Sequence, residues 1–162
     1  EELQFATALL QEIMDFMREK ELISVLHVCR GNWSKNEGIL LSGSYTPLVP
    51  LFSAVLPSVL ALEYSTKRAG DLGSVLENER IREHCILGLG VINPRIDTVE
   101  TRESIVRRAE EALQYLPKER LWLNPDCGFA TFANRPVNVL PCIEKKLQEL
   151  HLAQEYLRKE RG

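Results

Sequence analysis

A chain of 162 residues is long enough for one domain with a real apolar core, and its 20 basic and 23 acidic side chains leave a formal charge of −3. With no basic block, a nucleic-acid partner has no electrostatic support, and no apolar run reaches the ~20 residues that a membrane-spanning helix needs. Four widely separated cysteines, Cys29, Cys85, Cys127 and Cys142, fit reduced thiols and metal ligation better than a disulfide framework. The amino terminus lacks the charged-then-apolar order of a secretory signal, so a cytoplasmic setting is expected. The chain opens on Glu1, already inside a helical pattern, which points to a piece of a longer protein.

Residues 2–19 place Leu3, Phe5, Ala6, Leu9, Leu10, Ile13, Met14 and Met17 at spacings of three and four, an amphipathic helix whose apolar face is expected in the core. Residues 22–29 then read as a buried strand, and residues 31–45 as a polar, glycine-containing loop, long for a simple connection. Thr46-Pro47 opens a short helix that runs to about residue 56. Residues 59–63 form a second strand that ends on Glu63, and a short helix is expected over 76–82. The third strand, 85–92, alternates Gly88 and Gly90 with bulky residues, which predicts a close approach to its backbone, and Asn93-Pro94-Arg95 closes it. A strong helix over 98–116, with Thr98 as its cap, leads to a fourth strand at 121–124. The turn Pro125-Asp126-Cys127-Gly128 follows, and a helix over 136–159, with Val139, Leu140, Ile143, Leu147, Leu150, Leu152, Ala153 and Leu157 as its buried side, ends the chain.

Strands alternating with crossover helices define an α/β class with parallel strands, whose carboxyl ends share one edge. His27 and Cys29 point the same way, being two residues apart, and they fall at that edge together with Glu63 and Cys127. Taken singly each has a plainer reading. Cys29 could be a buried thiol beside a hydrogen-bonded His27, Glu63 an ion-pair partner of Lys67 or Arg68, and Asn124 and Asp126 simple turn formers. Taken jointly, one nitrogen, two sulfurs and a carboxylate suit zinc better than magnesium or calcium, which favour oxygen shells. His84 and Cys85 sit at the opposite end of a strand, and Cys142 and His151 lie within the last helix, so none of these joins the set.

His27-Val28-Cys29, Glu63 at its strand end, and the run from Leu121 through Asn124-Pro125-Asp126-Cys127-Gly128 resemble the zinc-binding carboxyl-terminal barrel of cobalamin-independent methionine synthase and its relatives. The resemblance runs from about residue 20 to the end. It implies a (β/α)8 barrel of which this single domain, 1–162, supplies the C-terminal half, completed by missing N-terminal residues or by self-association. It also implies zinc held by His27, Cys29, Glu63 and Cys127, with Asn124 and Asp126 as candidates for supporting a ligand or touching substrate. The implied activity is methyl transfer from a folate-like donor to a homocysteine-like thiol in methionine biosynthesis. Arg30-Gly31-Asn32-Trp33 and the long loop after it depart from the methionine synthase proper and suggest a divergent branch. Alternatives are alkylation of coenzyme M by an epoxide, or a zinc-binding fragment with no catalytic role.

Overall fold

The computed structural model describes residues 1–160. Its centre is a sheet of four parallel strands in sequential order: β1 (Val25–Val28), β2 (Val59–Glu63), β3 (Ile86–Ile92) and β4 (Leu121–Pro125). The helix α1 (Glu2–Glu19) precedes β1, and the crossovers carry α2 (Val49–Val55), then α3 (Gly73–Leu76) with α4 (Glu79–His84), then α5 (Arg102–Ala112). A two-stranded antiparallel hairpin, β5 (Ala130–Phe132) and β6 (Arg135–Pro136), follows β4, and α6 (Leu140–Glu160) ends the described chain. The expected α/β class with parallel strands and crossover helices is therefore observed. No helix among the described residues is long and apolar enough to cross a membrane.

Leu60, Leu62, Leu87 and Leu89 pack with Phe52, Val55, Val75 and Ile105 into the core between sheet and helices. Burying each such side chain is worth roughly 1.5–3 kcal/mol, so this layer holds the unit together. Register pairs put His27, Ala61, Gly88 and Trp122 side by side on the other face, with Glu63, Gly90 and Asn124 one step nearer the carboxyl edge. A Cβ added at Gly88 would stand 3.0 Å from Asn124 Oδ1 and 3.2 Å from Ala61 Cα. At Gly90 it would stand 2.8 Å from the Leu62 carbonyl oxygen and collide with Asp126 Oδ1. The close approach expected at these glycines is thus made by Asn124 and Asp126.

Several expectations are corrected. Leu22 and Ile23 are exposed and precede β1, because Glu21 turns the chain with φ 53° and the Leu22 N–H closes onto the Met17 carbonyl. β1 is not a buried strand either: it pairs on one side only among the described residues, and Val25 is 54% exposed. On α1 only Met14 is buried, while Phe5, Leu9 and Ile13 stay exposed, since the apolar stripe is wider than the neighbouring α2 can cover. The single helix expected over 76–82 is two, divided where Asn78 Oδ1 accepts the Ile81 N–H and starts α4. His84 therefore ends α4 instead of opening the strand. The cap of α5 is Thr101, accepting from the Ser104 N–H at 3.3 Å, and not Thr98. α6 begins four residues later than expected because the hairpin occupies 135–136; Val139, Leu140, Leu147 and Leu152 are exposed, and Leu150 and Ala153 carry the packing.

Candidate metal centre

Three strand ends deliver four donor groups. His27 lies on β1 with Cys29 just past its end, Glu63 is the last residue of β2, and Cys127 follows β4 by two residues. One ligand atom from each of the four lies within 4.8 Å of the others. Cys127 Sγ sits at the middle, 3.3 Å from His27 Nε2, 3.3 Å from Cys29 Sγ and 3.4 Å from Glu63 Oε1. Bonds of about 2.0–2.3 Å at tetrahedral angles put neighbouring zinc donors about 3.3–3.8 Å apart, so these spacings fit a single ion. Glu63 is 2% exposed: its Oε1 is the oxygen turned into the cluster, while Oε2 makes no hydrogen bond and faces the Arg95 guanidinium at 3.8 Å.

Each donor is held by something specific. A carbonyl can only accept, so the 3.0 Å contact between His27 Nδ1 and the Ala61 oxygen puts the ring proton on Nδ1 and turns the Nε2 lone pair toward Cys127. The Gly31 N–H donates to Cys29 Sγ at 3.3 Å, in a turn where Gly31 has φ 110° and a side chain would meet the Trp33 ring. The Arg30 N–H donates to Glu63 Oε1 at 3.0 Å, and the Arg30 guanidinium lies 4.0 Å over the Tyr45 ring. Tyr45 Oη in turn accepts the Glu63 N–H at 3.0 Å, which fixes the end of β2. Burial, the hydrogen bond with Cys29 and the Glu63 charge push the Cys127 thiol well above its ordinary value. A cation among the donors would favour the thiolate instead.

Asp126 lies behind this cluster. Its Oδ1 accepts the N–H groups of Tyr64 and Ser65 at 3.1 and 3.0 Å, and its Oδ2 accepts from Ser65 Oγ and from Arg95 Nη2 at 3.1 Å. Burial pushes the Asp126 carboxyl up to about 6 against the pull of Ser65 and Arg95. Asp126 thus ties the exit of β2 to the turn that carries Cys127. Asn124 Nδ2 donates to the Pro125 carbonyl at 2.8 Å.

The plainer readings of the single residues are partly overturned. Cys29 is exposed and not a buried thiol. Arg68 pairs with Glu37, 2.8 Å from its Oε2, and the cation facing Glu63 is Arg95, with Nη1 3.8 Å from Oε2. Cys85 is buried, its thiol pushed up to about 11 by burial, and Cys142 donates to the Asp97 carbonyl; neither is among the four donors.

Four participants escape sequence reasoning. Arg95 is fully buried and joins Glu37, Glu63 and Asp126. Arg30 and Glu37 hold the long loop, and Asn32 donates to the Gly128 carbonyl at 2.6 Å, joining the loop after β1 to the turn after β4. For Arg95 a signal existed: a charged residue at the end of β3, on the same rim as the other strand ends.

The fold and the donors together define a class: a parallel α/β unit of the (β/α)8-barrel kind, with an imidazole–dithiol–carboxylate cluster at its strand carboxyl ends. Comparison with known proteins narrows this. The family described as "Cobalamin-independent synthase, Catalytic domain" matches residues 26–139, well over half of the chain, and the chain belongs to that family. "Uncharacterized protein YxjG" of Bacillus subtilis is 30% identical over 128 residues, covering 78% of this chain and 32% of that protein. The 5-methyltetrahydropteroyltriglutamate–homocysteine methyltransferase of Blochmanniella pennsylvanica is 32% identical over 117 residues, covering 67% of this chain and 14% of that one. A B12-independent methionine synthase from Shewanella sp. W3-18-1, solved in complex with selenomethionine, shares the fold with a TM-score of 0.69 at 22% identity, over 86% of this chain and 39% of that chain. The chain spans about a third or less of the length of these curated relatives.

Proposed function

We propose that His27, Cys29, Glu63 and Cys127 hold one zinc ion, and that the chain is the zinc-bearing part of a cytoplasmic methyltransferase that methylates a homocysteine-like thiol from a folate-like donor. The observation that carries this reading is the convergence of four donor atoms within 4.8 Å. Two sulfurs, an imidazole nitrogen and a carboxylate favour zinc over magnesium or calcium. The names of the relatives supply the reaction class, and the selenomethionine carried by the Shewanella protein is the selenium analogue of the methyl thioether that methylating such a thiol yields. Four free thiols suit a reducing compartment.

When bound, zinc keeps a substrate thiol, whose free pKa is about 8.5, as a thiolate able to attack a methyl carbon at neutral pH. The protein's own groups set the conditions for that attack. Cys29 and Cys127 would hold the ion as thiolates and Glu63 as a carboxylate, an electron-rich donor set that would leave a substrate sulfur nucleophilic. His27, with its proton on Nδ1 toward Ala61, contributes Nε2 without a proton to lose. Asp126 holds the Cys127 turn against Ser65, keeping the fourth donor in reach. The edges of β1 and β4 that lack a partner among the described residues, and the open inner face, fit completion by an N-terminal half of the same barrel.

Elemental analysis of the purified intact protein tests the metal: about one zinc per chain is expected, and absence of stoichiometric zinc after exposure to the metal overturns the reading. Adding homocysteine to a cobalt-substituted sample tests the thiol. A change in the visible spectrum is expected; tight metal binding with no response to thiol would favour the non-catalytic reading instead.

A further inference from the structure

We propose that Arg95 is a positioning residue of the four-donor centre, orienting Glu63 and the segments that carry Cys29 and Cys127 through one buried guanidinium. This rests on the reading of those residues as a metal site. β1, β2 and β4 bring the donors; β3, which lies between β2 and β4, brings none. What the exit of β3 brings to the same rim is Arg95, three residues past its end and fully buried.

Its nitrogens are divided among the segments. Nη1 faces Glu63 Oε2 at 3.8 Å and donates to the Gly31 carbonyl at 3.4 Å, in the turn whose N–H holds Cys29 Sγ. Nη2 donates to Asp126 Oδ2 at 3.1 Å, the residue before Cys127. Nε donates to Glu37 Oε1 at 2.9 Å, which anchors the whole group to the long loop after β1. One planar fork therefore reaches a donor, the turn after a second and the neighbour of a third. By drawing Oε2 of Glu63 to itself, Arg95 leaves Oε1 turned toward Cys127 Sγ, 3.4 Å away.

Packing alone does not account for this residue. Taking a guanidinium out of water costs several kcal/mol, and an apolar side chain of similar volume would fill the space at less cost. A planar group with donors in fixed directions is what three differently placed oxygens require, and lysine cannot supply it. The charge also matters. Two thiolates and Glu63 would outweigh a divalent ion by one negative charge, Asp126 adds another close by, and Arg95 offsets part of that excess.

The test uses the intact protein stripped of metal, titrated with zinc against a chromophoric chelator and, separately, with cobalt followed by its visible bands. Arg95→Gln is expected to weaken zinc binding about 10–100-fold, the range typical when a group supporting a metal ligand is lost, and to alter the cobalt spectrum. Arg95→Lys is expected to recover part of the affinity but not the wild-type spectrum, because it restores the charge without the fork. An Arg95→Gln protein that unfolds at the wild-type denaturant midpoint, binds zinc within twofold of wild type and shows the wild-type cobalt bands overturns the proposal. If Arg95→Gln does not fold, Glu37→Gln decides: it loosens the far side of the guanidinium, and an unchanged affinity and spectrum there overturns the proposal, whereas weaker binding with altered bands supports it. Failure of the wild type to bind either ion is a different result, since it removes the metal site itself and this inference with it.

Discussion

The two faces of the β1–β4 sheet come from the same short strands and are built on opposite rules. Toward the helices the residues are Leu60, Leu62, Leu87 and Leu89, all 0–3% exposed. Toward the other side they are His27, Ala61, Gly88, Gly90 and Trp122, small or polar apart from the tryptophan, which is 47% exposed. One face spends its side chains on packing, so its residues are interchangeable within the limits of volume. The other leaves its backbone bare so that Asn124 and Asp126 can lie close over it, and concentrates its chemistry at the carboxyl rim. Stability and function are thus separated by the alternation of the strand itself.

That contrast can be broken at several points. The largest expected effect is at the rim: if Cys127 holds zinc as proposed, Cys127→Ser should lower zinc affinity by more than the roughly 10–100-fold typical of losing a supporting contact, and abolish the proposed thiol methylation. Cys142→Ser, in α6, should change neither, and zinc content by elemental analysis compares the two. On the helix-covered face, Leu89→Ala should cost about 2–5 kcal/mol in urea unfolding, the usual range for emptying a core leucine site. Gly90→Ala has no space for its methyl group. It should cost about 1–3 kcal/mol by overpacking and, by displacing Asp126, weaken metal binding as well, which couples the two faces at one position. Trp122→Ala, half-buried on the open face, should cost less than Leu89→Ala, about 1–2 kcal/mol in the isolated chain.

The smallest effect is a pH dependence. Burial works to raise the Glu37 carboxyl, but hydrogen bonds from Asn93 and Arg95 and the charges of Arg95 and Arg68 outweigh it and hold the group below its ordinary value of 4.5. A carboxyl depressed in the folded state contributes stability that is fully present above its unfolded pKa and is lost as pH falls through the folded one. Unfolding midpoints measured from pH 6 downward should therefore fall below about pH 4.5 in wild type, and Glu37→Gln should remove this part of the decline.

Strand β2, the loop after β1 and the helix α6 show how far sequence reading reaches. Residues 59–63 are read correctly to the residue, since an apolar run ending in a carboxylate is a local signal. Cys29, Glu63 and Cys127 are recognisable because strand ends of a parallel sheet share an edge, and that follows from element order alone. The loop of residues 31–45 is legible only as long. Its folding around Arg30, Glu37 and Tyr45 depends on partners at Glu63, Arg68 and Arg95, far away in sequence. Lys146 makes the same point in α6, where it shares the buried face with Leu150 and Ala153 and its ammonium lies 2.7 Å from Glu100, a partner that only the fold brings to it.

The order of strands and helices, and the types of the four donor residues, are properties of the sequence by itself, because they rest on periodicity and on chemistry that each residue carries wherever it lies. Which apolar residues of α1 and β1 are covered, which cation faces Glu63, and that Arg95 stands behind three of the four donors were decided only by the tertiary structure. Those outcomes depend on distances between segments separated by tens of residues, and no local preference of the chain encodes them.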